Sequence, residues 1–102
     1  MNMSLTKAIQ DYIDKNPYLT NDEVEEATMY NDAGEWAVSL EYVCARLTAY
    51  IVMSKRALSP QEMEELEALI DNTKITGNEY FNESFLCNVK KASNFYSPKN
   101  LE

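Results

Sequence analysis

Residues 35–54, EWAVSLEYVCARLTAYIVMS, decide the fold. Trp36, Leu40, Val43, Cys44, Leu47 and Ile51 recur there at intervals of three and four, the spacing that lines up apolar side chains along one stripe of an α-helix. The pattern predicts a helix from residue 35 to about residue 54, central to the fold, with Trp36 in the core. Before it, Asn31-Asp32-Ala33-Gly34 interrupts the spacing, and Gly34 can take the left-handed conformation that closes a preceding helix. After it, Ser59-Pro60-Gln61-Glu62 combines a capping box with proline at the first helical position, where its missing N–H costs nothing.

Helical spacing of apolar residues also flanks this stretch on both sides. Leu5, Ala8, Ile9, Tyr12 and Ile13 predict a first helix over 5–15, with Ser4 as N-cap and Asn16-Pro17 as the stop. Thr20 and Glu23 form a second capping box, and a helix over 21–31 follows. Met63, Leu66, Leu69 and Ile70 supply the buried face of the helix that starts at Pro60, with Asn72 to Gly77 as its exit loop. Phe81, Phe85, Leu86 and Val89 predict a fifth helix over about 78–92. Two glycines and three prolines are too few for a strand-and-turn architecture. The expected fold class is therefore all-α: a helical bundle of about five helices in one compact domain, 1–93. Residues 94–102 are expected as a frayed tail that Phe95 and Tyr96 could still dock.

Composition narrows the functional classes. At 102 residues the chain suits one domain, and 45% hydrophobic with 25% charged residues is ordinary globular usage, so a core can form. The absence of histidine removes the commonest general base and the commonest metal-binding imidazole. A net charge of −8 repels nucleic acid phosphates and anionic membranes and favours a basic partner. The N-terminal stretch carries an acidic residue early and does not read as a secretory signal, and no run approaches the roughly 20 apolar residues of a membrane span. A cytoplasmic location is expected. Cys44 and Cys87 both fall among apolar residues at helical spacing and read as buried free thiols rather than as a disulfide.

The acids are not scattered. Asp22, Glu23, Glu25, Glu26, Asp32, Glu35 and Glu41 occupy one block without Lys or Arg, and Glu62, Glu64, Glu65, Glu67 and Asp71 a second. Like charges at helical i,i+4 spacing cost a few tenths of a kcal/mol per pair, so such blocks hint at a basic partner. Glu64, Glu67 and Asp71 follow i, i+3, i+7 spacing opposite Met63, Leu66 and Ile70, with Glu65 beside them. These four are the first candidates for a partner-binding face, and Asp32, Glu35 and Tyr42 are the second. Glutamates near helix starts also gain from the helix dipole, so a merely solvated face would look similar. Carboxylate pairs such as Glu62 with Glu65 lack the histidines of di-iron bundles, and Asn31 to Glu35 lacks the oxygen ligands of a calcium loop. No metal, no cofactor and no catalytic residue is expected. Trp36 reads as core, and seven tyrosines suit either packing or a protein interface.

The run from Asp32 to Cys44, followed by Leu47 and then Leu58-Ser59-Pro60-Gln61-Glu62, resembles the small MafI-type immunity proteins of bacterial toxin–immunity systems. The likeness covers about residues 20–72. It implies an inhibitor of a co-encoded toxin, such as the effector of a contact-dependent growth inhibition system, held in the cytoplasm of the producing cell. Such toxins are often nucleases, RNases or DNases, whose basic clefts an acidic helical protein could cover, with carboxylates standing where phosphates would lie. Two other readings share the acidic surface: a helical adaptor for another protein, and a nucleic-acid mimic that binds DNA-binding proteins.

Overall fold

Helix α1 (Met3–Lys15) stops directly before Asn16-Pro17, and the Asn16 side chain accepts from the Tyr18 backbone N–H at 2.9 Å to turn the chain. The computed structural model describes residues 3–76 and 80–98, and among them the chain forms five helices and no strand. Ser4, expected as the N-cap of α1, instead lies inside it. Helix α2 (Asn21–Asp32) opens on the predicted box: Thr20 Oγ1 accepts from Glu23 N at 3.2 Å, and Glu23 Oε1 accepts from Thr20 N at 2.9 Å. Gly34, at φ 82°, makes the left-handed turn into α3 (Trp36–Ser54). Helix α4 (Pro60–Thr76) opens on the second box, with Glu62 N donating to Ser59 Oγ at 3.1 Å and Ser59 N to Glu62 Oε1 at 2.8 Å.

The boundaries of α4 and α5 differ from the expectation as well. Helix α4 runs on through Asn72 and Lys74 to Thr76, because Thr73 is buried and Lys74 reaches forward to Glu83 at 2.5 Å. Helix α5 (Glu83–Phe95) starts later than residue 78, with the Asn82 side chain accepting from Ser84 N at 3.0 Å. Phe81 is buried just ahead of it. Asn94 and Phe95 belong to α5, and Tyr96 packs against the core, so this part of the expected tail is docked. Residues 77–79 and 99–102 lie outside the described residues.

Hydrogen bonds between helices fix their directions. Asn31 Nδ2 donates to Thr6 O and to Gln10 Oε1, both at 3.1 Å, and Gln10 Nε2 donates to Thr28 Oγ1 at 2.8 Å, so α1 and α2 are antiparallel. Ser39 Oγ donates to Ala27 O at 2.8 Å while Arg46 Nε reaches Glu23 at 2.6 Å, making α2 and α3 antiparallel. Asn82 N donates to Glu41 Oε2 at 2.9 Å at one end of α5, and Leu58 N to Ser93 Oγ at 2.8 Å at the other, so α5 runs parallel to α3. Glu67 with Lys90 and Glu83 with Lys74 lay α4 antiparallel to α5.

Helix α3 sits at the centre, packed most extensively on α5 and α2. Leu40, Val43, Cys44, Leu47 and Ile51 are fully buried along the predicted stripe and meet Ile9 and Ile13 of α1, Leu66 and Ile70 of α4, and Val89 of α5. Each such aliphatic side chain contributes on the order of 1.5–3 kcal/mol when buried. Trp36 packs at the edge of this core, only partly buried, rather than within it. Contrary to the count of apolar runs, α3 is long and apolar enough by composition to cross a bilayer. Its apolar stripe faces its neighbours in the bundle instead. The radius of gyration, 13.3 Å, is close to the roughly 13 Å of a compact 100-residue domain.

The cysteines separate. Cys44 is buried in the core, and burial, with Glu41 nearby, pushes its thiol up to about 12. Cys87 is exposed and free, against expectation: buried Leu86, Val89 and Ser93 occupy the inner face of α5, and Cys87 lies off it.

Candidate functional site

Four of the acids singled out in the sequence lie on α4, but they do not make one face. At about 100° per residue, Glu64, Glu67 and Asp71 fall together, while Glu65 is about 160° from Glu67 around the axis. Glu65 turns toward α1, where its charge adds to the burial that raises the Tyr12 hydroxyl. Glu67 turns toward α5 and pairs with Lys90 at 3.5 Å. Asp71 lies 3.6 Å from Lys74, which also holds Glu83. The block that lacks bases in sequence is therefore partly neutralised in space. Only Glu64 and Glu65 of the four form no ion pair among the described residues.

The three second candidates lie elsewhere, around α2 and α3. Asp32 is exposed at the end of α2, and Glu35 is exposed as the N-cap of α3, its side chain making no cap hydrogen bond. Tyr42 packs against Tyr30 with ring centroids 6.0 Å apart. Glu26, which accepts from Tyr30 Oη at 3.3 Å, raises the Tyr30 hydroxyl, with burial and Glu35 adding to the effect. Burial, then Glu26 and Glu23, raises Tyr42. Glu35 and Tyr42 are thus brought together through Tyr30, far in sequence from Asp71.

Beside that pair runs part of the first acidic block, whose residues on α2 were not among the expected contact residues. Asp22, Glu25, Glu26 and Met29 share the outer face of α2 and line a shallow depression of about 440 Å³. Among the described residues none of the three acids forms an ion pair, and Met29 is 57% exposed. Their i, i+3, i+4, i+7 spacing was available in the sequence as the signal. At the edge of this face Glu23 is committed to structure. Burial would raise its carboxyl, but the Thr20 N–H and the Arg46 guanidinium outweigh it and hold the group below its usual value of 4.5.

A larger concavity lies on another side of the molecule. A groove of about 1090 Å³ opens where the C-termini of α3 and α5 meet the start of α4 and the α1–α2 turn. Tyr18, Tyr50, Met63 and Tyr96 supply much of its apolar lining, and Lys55, Arg56 and Lys90 supply positive charge. Tyr18 and Tyr50 pack with centroids 4.8 Å apart. Tyr18 Oη donates to Glu62 Oε2, and this bond, with burial, pushes the hydroxyl up to about 12. Burial opposes ionisation of Glu62, yet Tyr18 and Ser59 together hold it below its usual value. Positions 18, 50, 56, 63 and 96 share no sequence spacing, so only the tertiary fold assembles this groove.

Among the described residues no three of Asp, Glu and Cys come together to hold a metal ion. Comparison with protein families, curated proteins and solved structures gives no match to the chain.

Proposed function

We propose that the chain acts stoichiometrically as an immunity protein, covering the basic active-site cleft of a cognate toxin domain, a nuclease in the favoured form, in the cytoplasm of the cell that makes both. The observation that supports a basic protein partner is the outer face of α2. Asp22, Glu25 and Glu26 carry charge uncompensated by described cations, beside exposed Met29 and the Tyr30–Tyr42 pair. An apolar and aromatic centre with a charged rim is the composition of a protein interface. In this reading Met29 and the tyrosines anchor the contact, and the acids of α2, with Asp32 and Glu35, steer association and fix register. Glu64 on α4 would add to the long-range field. Inhibition needs no covalent step, because a cleft filled by carboxylates cannot admit phosphates.

Capture of partners by the tagged chain from its native cell, at low and moderate salt, tests the reading. The expected result is one stoichiometric partner with a basic toxin domain whose toxicity the chain abolishes. Recovery of many DNA-binding proteins, or of a single non-toxic partner, would overturn it. With that partner in hand, Asp22→Lys with Glu25→Lys is expected to slow association roughly tenfold at low salt and to flatten its salt dependence. Unchanged association kinetics would remove the α2 face from the interface.

A further inference from the structure

The groove between Tyr18, Tyr50 and Tyr96 plays no part in the acidic-face reading, and its charge is opposite to that of the rest of the chain. In a protein of net charge −8, Lys55 and Arg56 stand exposed at its edge, and neither forms an ion pair among the described residues. The third cation, Lys90, is shared with Glu67, and the lining acid, Glu62, has both oxygens engaged by Ser59 N and Tyr18 Oη. Lys55 is also the only described non-glycine residue at positive φ, 59°, as the left-handed C-cap of α3. Glycine would fill that position without the strain of a side chain. The walls are fixed: Ser93 Oγ holds Leu58 N at 2.8 Å, tying the 55–59 turn to α5, and the Tyr18–Tyr50 pair is locked by Glu62.

We propose that this groove docks a segment of a partner polypeptide that lays an aromatic or aliphatic side chain on the tyrosine floor and sets a carboxylate against Lys55 and Arg56. Size and lining favour a polypeptide over a small molecule. Small-molecule sites run to about 300–1,000 Å³ and place unsatisfied polar groups in the floor to fix orientation. This groove is at or above that range and open, and its Tyr18 and Ser93 hydroxyls are already engaged within the fold. Tyrosine floors give large contact area at low entropic cost, and a preformed groove binds without reorganisation. A nucleic acid strand is disfavoured by the overall charge. The proposal does not depend on the α2 face: the two surfaces have opposite charge and share no residue.

Selection of displayed random peptides of about ten residues tests it, with the whole chain as bait and Lys55→Glu/Arg56→Glu as counter-bait. Both residues are exposed, and an unchanged thermal melt checks that the variant folds. The expected winners carry an aromatic or aliphatic residue next to Asp or Glu. As synthetic peptides they should shift the NMR signals of Tyr50, Met63 and Tyr96, and Arg56→Glu alone should weaken them roughly tenfold, the scale of one good charged contact. Enrichment of basic peptides, winners whose shifts map to another face, or no winners would each overturn the proposal. So would AMP shifting the same signals as strongly, or sedimentation showing that a second copy of the chain fills the groove.

Discussion

The capping boxes of α2 and α4 are built alike, Thr20 with Glu23 and Ser59 with Glu62, yet the spare carboxylate oxygen of each goes to a different chemistry. Glu23 Oε2 takes the Arg46 guanidinium at 2.6 Å, on the side of the molecule where α2 presents its acids. Glu62 Oε2 takes the neutral Tyr18 hydroxyl, at the mouth of the groove. One local device thus serves as a tertiary clamp twice, once through charge and once through a hydrogen bond. The difference matters for what each clamp leaves outside. Arg46 is consumed by Glu23, so the α2 face keeps its negative sign. Tyr18 satisfies Glu62 without a cation, so Lys55 and Arg56 remain available at the groove.

The two clamps differ most in stability at the aromatic pair. Tyr50→Ala removes the ring packed on Tyr18 and is expected to lower stability by about 2 kcal/mol in urea unfolding, against a range of about 3–5 for fully buried aromatics. A loss below about 0.5 kcal/mol would mean that the Tyr18–Glu62 bond holds the groove unaided.

Titration separates the two clamps next. Both glutamates are held below 4.5 in the folded chain, so their contributions are complete above that pH and are lost as pH falls through the lowered values. Glu23→Gln and Glu62→Gln should each flatten the acid limb of stability against pH. The Tyr18 hydroxyl is raised from 10.0 to about 12, so its contribution is present below pH 10 and lost between there and about 12. Tyr18→Phe should remove that part of the alkaline loss, and nothing comparable should follow from Arg46→Gln. An alkaline limb unchanged in Tyr18→Phe would count against the bond.

Salt gives the smallest effect. A double-mutant cycle on Glu23 and Arg46 is expected to return about 0.5 kcal/mol at low ionic strength and close to zero in about 1 M salt. The cycle on Tyr18 and Glu62 should change little. Equal salt sensitivity would show that the second clamp is ionic in practice.

Both boxes were legible in the sequence because a capping box closes within four residues, and so was the α3 stripe, whose period needs no partner to be seen. What each spare oxygen holds was not legible, since residues 23 and 46, or 18 and 62, meet only after folding. The same reason extends α4 past Asn72: a polar run that reads as a loop stays helical because Thr73 is buried and Lys74 finds Glu83. It also divides the supposed acidic face of α4, where Lys90 arrives from another helix to meet Glu67. Cys87 was misplaced for a local reason, because apolar neighbours in sequence are not neighbours on a helix. Asn82 as the cap of α5 was present in the sequence, and so was the i, i+3, i+4 spacing of the α2 acids inside the first base-free block, which marks one helix face.

The two thiols, one sealed in the core and one open on α5, give this chain a native reporter. A maleimide probe will attach at Cys87 in the folded state without substitution, while Cys44 stays closed to reagent until the helices around it part. Once Cys87 is blocked, the rate at which Cys44 becomes labelled is a clock for opening of the bundle. Any partner that clamps the helices together will slow that clock.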